Sequence, residues 1–392
     1  MSPPCEPPAA AASAARARRR AVRGLALLAV LAAPLLAACD RHEPVPPFKQ
    51  RIRGAGKRAA GDATAATPAA AGTPSPAALR ERVKSTLTPL PARMESPTNP
   101  ITPAKVELGR MLFHDERLSK DKDISCNTCH DLANFGVDVR EQDGARARTS
   151  AGQGGQRGER NSPTVFNAAL ALAQFWDGRA ADVEEQAGKP ILNPIEMAMP
   201  DEAAVVAVLR GIPGYKDKFA AAFPEDADPI SYANLTRAIG AFERTLVTPS
   251  RFDRFLQGEI AALSAEELEG LQVFLDVGCP QCHTGPGLGG TQFQKLGTIK
   301  AWPDLKDEGR AAVTKSPLDR FVFKVPTLRN VAKTGPWLHD GSVADLGEMV
   351  QKMAEHQASA GALTPAQTKA IVTFLDALTG EPPADLGEPA LP

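Results

Sequence analysis

The chain has 392 residues, with 45 Lys plus Arg against 46 Asp plus Glu and a formal net charge of -1. This balance gives no sign of a nucleic-acid partner and argues against a strongly basic chain. Of six cysteines, four lie in two identical patterns and the others are Cys5 and Cys39 near the N-terminus, so no pair remains for a structural disulfide in the mature chain.

The N-terminus reads as a secretory signal over residues 1–38. Arg16, Arg18, Arg19, Arg20 and Arg23 precede an apolar run from Leu25 to Leu36 that is too short for an ordinary membrane span. Leu36-Ala37-Ala38-Cys39 resembles a bacterial lipobox, in which cleavage leaves Cys39 to carry a lipid anchor. The alternative is a plain signal peptide cut within the Ala-rich stretch; both readings export the chain, to the periplasm. Residues 39–78 are rich in Ala, Pro, Gly and Thr and nearly lack large apolar side chains, so they form a disordered tether.

From residue 79 onward there is chain enough for two domains, 79–255 and 256–392. Helical signals dominate. Val106 to Phe113 reads as a helix leading to Cys126-Asn127-Thr128-Cys129-His130. Leu235, Ile239, Phe242 and Leu246 share one face of a second helix. Ser264 to Leu275, with Ser264 and Glu267 as a capping box, leads to Cys279-Pro280-Gln281-Cys282-His283. A stripe of Val343, Leu346, Met349, Val350 and Met353 follows, and then Ile371, Phe374, Leu375 and Leu378. One unit is used twice: helix, Cys-x-x-Cys-His, loops, closing helix. The expected fold is all-α, with two tandem cytochrome c-type haem domains and long loops.

Cys-x-x-Cys-His is a c-type haem attachment site: both thiols bond the haem and the histidine becomes an axial iron ligand. A zinc site needs four converging ligands, and Cys-x-x-Cys redox chemistry needs no adjacent histidine. Two copies imply two covalent haem c groups, held by Cys126, Cys129 and His130 and by Cys279, Cys282 and His283. The sixth ligand separates an electron carrier from an enzyme, because an open position lets iron bind a small oxidant. None of the six histidines falls between the two motifs. His114 precedes the first motif closely enough to read as a packing or surface residue. For the second haem, Met349, Met353 and His356 all compete.

Further runs carry a family resemblance. They are Arg160-Asn161-Ser162-Pro163-Thr164-Val165, Phe175-Trp176-Asp177-Gly178-Arg179, Glu185-Gln186-Ala187, Asn193-Pro194-Ile195-Glu196-Met197, Thr334-Gly335-Pro336, His339-Asp340-Gly341-Ser342 and Met353 to Gln357. In this order around two haem motifs, from about residue 95 to 380, the chain resembles the bacterial dihaem cytochrome c peroxidases. The MauG-like dihaem enzymes, which oxidise a partner protein, share much of the pattern but use a tyrosine where this chain has Met353.

The resemblance implies that His130 holds a peroxidatic haem and that His283 and Met353 hold an electron-entry haem. It implies that Glu196 is the distal acid–base group, Gln186 its pocket partner and Trp176 the electron relay between the haems. Asn161, with the carbonyls of Thr334 and Pro336, matches the family's calcium site. Hydrogen peroxide, a small cytochrome c or cupredoxin as donor, and a homodimer are the implied partners. One position departs from the family: where many members carry a histidine that caps the peroxidatic haem at rest, this chain has Gln153. The expectation is a periplasmic peroxidase that needs no reductive activation. A MauG-like oxidase and a non-enzymatic dihaem carrier are the competing readings.

Overall fold

A computed structural model describes residues 74–392; the signal segment 1–38, Cys39 and the tether up to residue 73 lie outside the described residues. In chain order the α-helices are α1 (Pro76–Val83), α2 (Pro103–His114), α3 (Cys126–Cys129), α4 (Val183–Leu192), α5 (Glu202–Arg210), α6 (Pro213–Ala222), α7 (Tyr232–Glu243), α8 (Arg251–Gln257), α9 (Ala265–Val277), α10 (Ala311–Thr314), α11 (Leu346–Gln357) and α12 (Pro365–Asp376). The strands described are two short antiparallel ribbons, β1 (Glu141–Gln142) with β2 (Ala145–Arg146) and β3 (Phe293–Lys295) with β4 (Val322–Lys324). No helix among the described residues is long and apolar enough to cross a membrane.

Local chemistry sets the helix ends. Thr102 caps α2 by accepting from Lys105 N at 3.2 Å, with Pro103 in the first turn. Ser264 and Glu267 close the expected capping box on α9. The methionine-bearing helix, α11, starts later than the apolar stripe suggests. Asp345 accepts from Glu348 N at 2.7 Å and so begins the helix at Leu346, while Val343 pairs antiparallel with Trp337 instead. Leu246 likewise lies beyond the end of α7 but is fully buried.

Two apolar cores carry the fold. The first gathers α2, α4, α5, α6 and α7; the second gathers α8, α9 and α12 and takes in Leu79, Val83 and Leu87 from α1 and the turn after it. Both are organised around the same crossing. At Gly109 on α2 an added Cβ would sit 2.0 Å from Ala238 O and 2.8 Å from Phe242 Cβ of α7; at Gly270 on α9 it would sit 2.0 Å from Ala370 O and 2.8 Å from Phe374 Cβ of α12. The aromatic pairs beside them also match, with ring centroids 5.5 Å apart for Phe113–Phe242 and 5.3 Å for Phe274–Phe374. A bare helix surface at one point lets the opposing backbone approach, and the neighbouring rings then interlock.

Gly109→Ala or Gly270→Ala must force these helices apart. Each is expected to lower unfolding stability by about 1–3 kcal/mol, as overpacked cores do, measured by denaturant unfolding of the haem-loaded protein.

Candidate active site

Each attachment motif presents its histidine in the same way. His130 Nδ1 faces Gly136 O at 3.3 Å and His283 Nδ1 faces Leu288 O at 3.0 Å. A ring whose Nδ1 is engaged with a carbonyl keeps Nε2 for a metal and is fixed in orientation. Burial holds both imidazoles below their usual pKa, with the carbonyl contacts working the other way. The four motif cysteines form no disulfide with one another. These donor sets fit covalent haem.

Beside the first motif the chain brings several polar groups together. Asn193 ends α4, and the turn behind it folds back through Met197 N to Pro190 O at 3.2 Å and Met199 N to Ile191 O at 2.9 Å. That turn carries Glu196, whose carboxyl is raised above the ordinary glutamate range by burial, with Arg179 and Asn193 partly offsetting it. The Arg179 guanidinium is stacked 3.5 Å from the Phe175 ring centroid and paired with Asp177 at 3.1 Å. Glu196 is close enough to Cys129 to influence that thiol, which Arg140 also contacts at 3.4 Å. Gln186 lies half-buried on α4 and is not among the groups that hydrogen-bond Glu196.

Gln153 enters the same region. Its backbone N donates to Glu196 O at 2.7 Å, its side-chain amide donates to Asp121, and its buried Oε1 has no donor among the described residues. Gly152 lies flush on this segment: an added Cβ would meet Ile195 O at 2.2 Å and Glu196 Cα at 2.7 Å.

The second motif opens into a large, mainly apolar cavity lined by Cys279, Cys282 and His283 and by Met349 and Met353 of α11. His356 is not among the residues lining this cavity: its Nδ1 lies 3.0 Å from Lys300 O and its ring centroid 4.9 Å from that of Trp302. His114 is buried against Phe113 in the first core, a packing position.

Trp176 borders this cavity at the join of the two halves. Its Nε1 donates to Asn161 O at 2.9 Å, and its ring meets His339 edge-on at 6.5 Å between centroids. Asn161 Nδ2 donates to Arg148 O at 2.9 Å, which leaves the amide oxygen for another partner. Arg146 takes Lys333 O at 3.3 Å and Gly335 O at 2.6 Å, so Thr334 and Pro336, which line the cavity with Asn161, keep their carbonyls. Neutral oxygen donors of this kind fit Ca²⁺.

Residues 103–261 match the family model for di-haem cytochrome c peroxidase. The chain is 43% identical over 313 residues to cytochrome c551 peroxidase of Pseudomonas aeruginosa, covering 78% of this chain and 88% of that one. The chain belongs to the di-haem cytochrome c peroxidase family. A cytochrome c551 peroxidase of Nitrosomonas europaea is 44% identical over 301 residues, covering 76% of this chain and 86% of that one. Among solved structures, a MauG-like protein associated with microbial copper homeostasis superposes with a TM-score of 0.65 at 30% identity, covering 74% of this chain and 94% of that one. The chain is thus an oxidoreductase of the cytochrome c peroxidase class, and its two attachment motifs are the two haem sites of a di-haem family.

Within this di-haem peroxidase several site residues escape sequence reading. Pro163-Thr164-Val165-Phe166-Asn167 and Pro326-Thr327-Leu328-Arg329-Asn330 are copies of one turn, with φ 60° at both asparagines and threonine hydroxyls donating to Phe135 O and Gly287 O at 2.6 Å. Phe175-Trp176-Asp177-Gly178 and Leu338-His339-Asp340-Gly341 are another such pair, with positive φ at Phe175, Gly178, Leu338 and Gly341. Trp176 and His339 are therefore counterparts. The repeated Pro-Thr-x-x-Asn and x-x-Asp-Gly strings were the available signal. Glu243, buried beside Cys126 with its carboxyl pushed up to about 8 by burial and by Glu184, carried no motif at all.

Gly152→Ala is expected to displace the Glu196 backbone and lower peroxidatic turnover about 10²-fold, the usual scale for misplacing a catalytic group by an ångström. Steady-state kinetics with unchanged haem content would check this.

Proposed function

We propose that the protein reduces hydrogen peroxide to water in the periplasm, taking electrons one at a time from a small soluble cytochrome c or cupredoxin. The observation that carries this reading is Glu196, a partly buried carboxyl with a raised pKa beside the first attachment motif. When bound, the first haem supplies an iron at which the O–O bond is cleaved, and the second supplies a one-electron entry point. The ionised Glu196 carboxylate accepts the proton of the incoming peroxide and returns it to the departing oxygen. Burial narrows the energy gap between its two protonation states, which suits one group to both tasks. Gln186, on the adjoining helix, is placed to hydrogen-bond the oxidant. Trp176 bridges the two halves as electron relay, and Met353, with Met349 on the same wall, would help hold the second haem together with His283.

Gln153 supports an enzyme that is active without prior reduction. A carboxamide oxygen is a poor iron ligand beside imidazole, and the Gln153 amide nitrogen is already engaged by Asp121. A Ca²⁺ ion held by Asn161, Thr334 and Pro336 would join the two halves. Lipid on Cys39 would hold the whole at a membrane, with a homodimer as the assembly the resemblance implies.

Glu196→Gln is expected to lower kcat/KM for peroxide by about 10²–10⁴ while both haem spectra stay intact. In the wild type the peroxide reaction should weaken toward acid through a midpoint above the ordinary glutamate value of about 4.3. The sign follows from the need for an ionised base, and Glu196→Gln should lack that limb in stopped-flow profiles. Peroxide assays with a panel of reduced small cytochromes test the reading as a whole; failure with every donor would overturn it.

Gln153→His should place an imidazole at the first haem, convert it to a six-coordinate state and make turnover depend on prior reduction. Chelation of Ca²⁺ should slow turnover reversibly, with recovery when the ion is restored.

A further inference from the structure

Two backbone hydrogen bonds of equal length relate Asn161 to Lys324. Asn161 N donates to His339 O at 2.8 Å, and Lys324 N donates to Trp176 O at 2.8 Å. Since Trp176 and His339 are counterparts, and Asn161 and Lys324 each stand two residues before the proline of the duplicated turn, these two residues are counterparts as well. Asn161 belongs to the calcium site proposed above; at the equivalent place the second half carries its own cation. The Lys324 side chain lies in the wall of the second haem cavity with Trp176, Cys282 and His283. Burial alone pushes its ammonium down to about 8, with no carboxylate of the described residues facing it. A lysine held in an apolar wall without an anion is poorly accommodated unless a ligand brings one.

We propose that Lys324 is a positioning residue whose ammonium pairs with a propionate carboxylate of the second haem, while its backbone N–H holds Trp176. One residue then fixes the entry haem against the aromatic bridge and places a positive charge where it favours the reduced iron. The inference rests on the two-haem reading of the site and, for the bridge, on Trp176 as relay.

The test is a potentiometric titration of the complete, haem-loaded protein. Lys324→Gln should lower the ratio of reduced to oxidised second haem at fixed ambient potential by about tenfold, the scale of removing one unit charge beside a redox centre inside a protein. Lys324→Arg should restore most of the ratio, and the first haem should move much less. An unchanged ratio in Lys324→Gln, or a shift confined to the first haem, would overturn the proposal. A crystal structure of the haem-loaded wild type decides it without any variant: Nζ within about 3.2 Å of a second-haem carboxylate oxygen is expected, and an ammonium facing solvent would refute it. A failure of the relay reading is separable, because Trp176→Phe would then transfer electrons normally while the Lys324→Gln shift remained.

Discussion

The reciprocal pair of backbone hydrogen bonds, Asn161 N to His339 O and Lys324 N to Trp176 O, is the constraint on which the functional architecture turns. Each half donates from the residue two before its Pro-Thr turn to the carbonyl of the other half's interfacial ring residue. Such bonds tolerate little sliding, because a shift at one loosens the other. They fix where Trp176 and His339 meet, and so fix the relation between the two haem cavities. Polar contacts reinforce the join: buried Thr248 Oγ1 is shared by Asn167 at 2.8 Å and Asn330 at 2.9 Å, and the half-buried Arg160 spans Asp177 and Asp307 at 2.6 to 2.8 Å. Fully satisfied polar networks of this kind specify one arrangement more than they add stability.

Duplication supplies the scaffold, and divergence at equivalent positions supplies the chemistry. The same glycine-centred helix crossing builds both cores, and the histidines of both motifs engage a carbonyl through Nδ1. Against this common frame, a tryptophan in one half stands where the other has a histidine, and an asparagine amide where the other has an ammonium. The first motif has the polar groups Glu196 and Gln153 nearby, whereas the second faces a mainly apolar cavity with two methionines. An apolar site suits repeated one-electron exchange, and a proton-bearing carboxylate suits bond cleavage.

Much of this was legible in the sequence, for identifiable physical reasons. Cys-x-x-Cys-His is short, local and chemically exclusive, and the capping box at Ser264 and Glu267 is written in four consecutive residues. Long-range geometry was less legible. The methionine stripe could not separate Met349 and Met353 from His356, because helical spacing brings all three near one face; the packing of His356 on Trp302 is a tertiary fact. The helix boundary at Asp345 was lost because Val343 continues the apolar period while pairing in extended form with Trp337. Lys324 and Glu243 were invisible because only burial makes them unusual.

The central claim is the inequality of the two haem sites, and the most direct measurement is the electron paramagnetic resonance spectrum of the ferric protein as isolated, before any reductant is added. The account predicts one high-spin signal from the first haem, lost on adding peroxide, beside one low-spin signal from the second. Two low-spin signals, unaltered by peroxide until the protein is reduced, would contradict it.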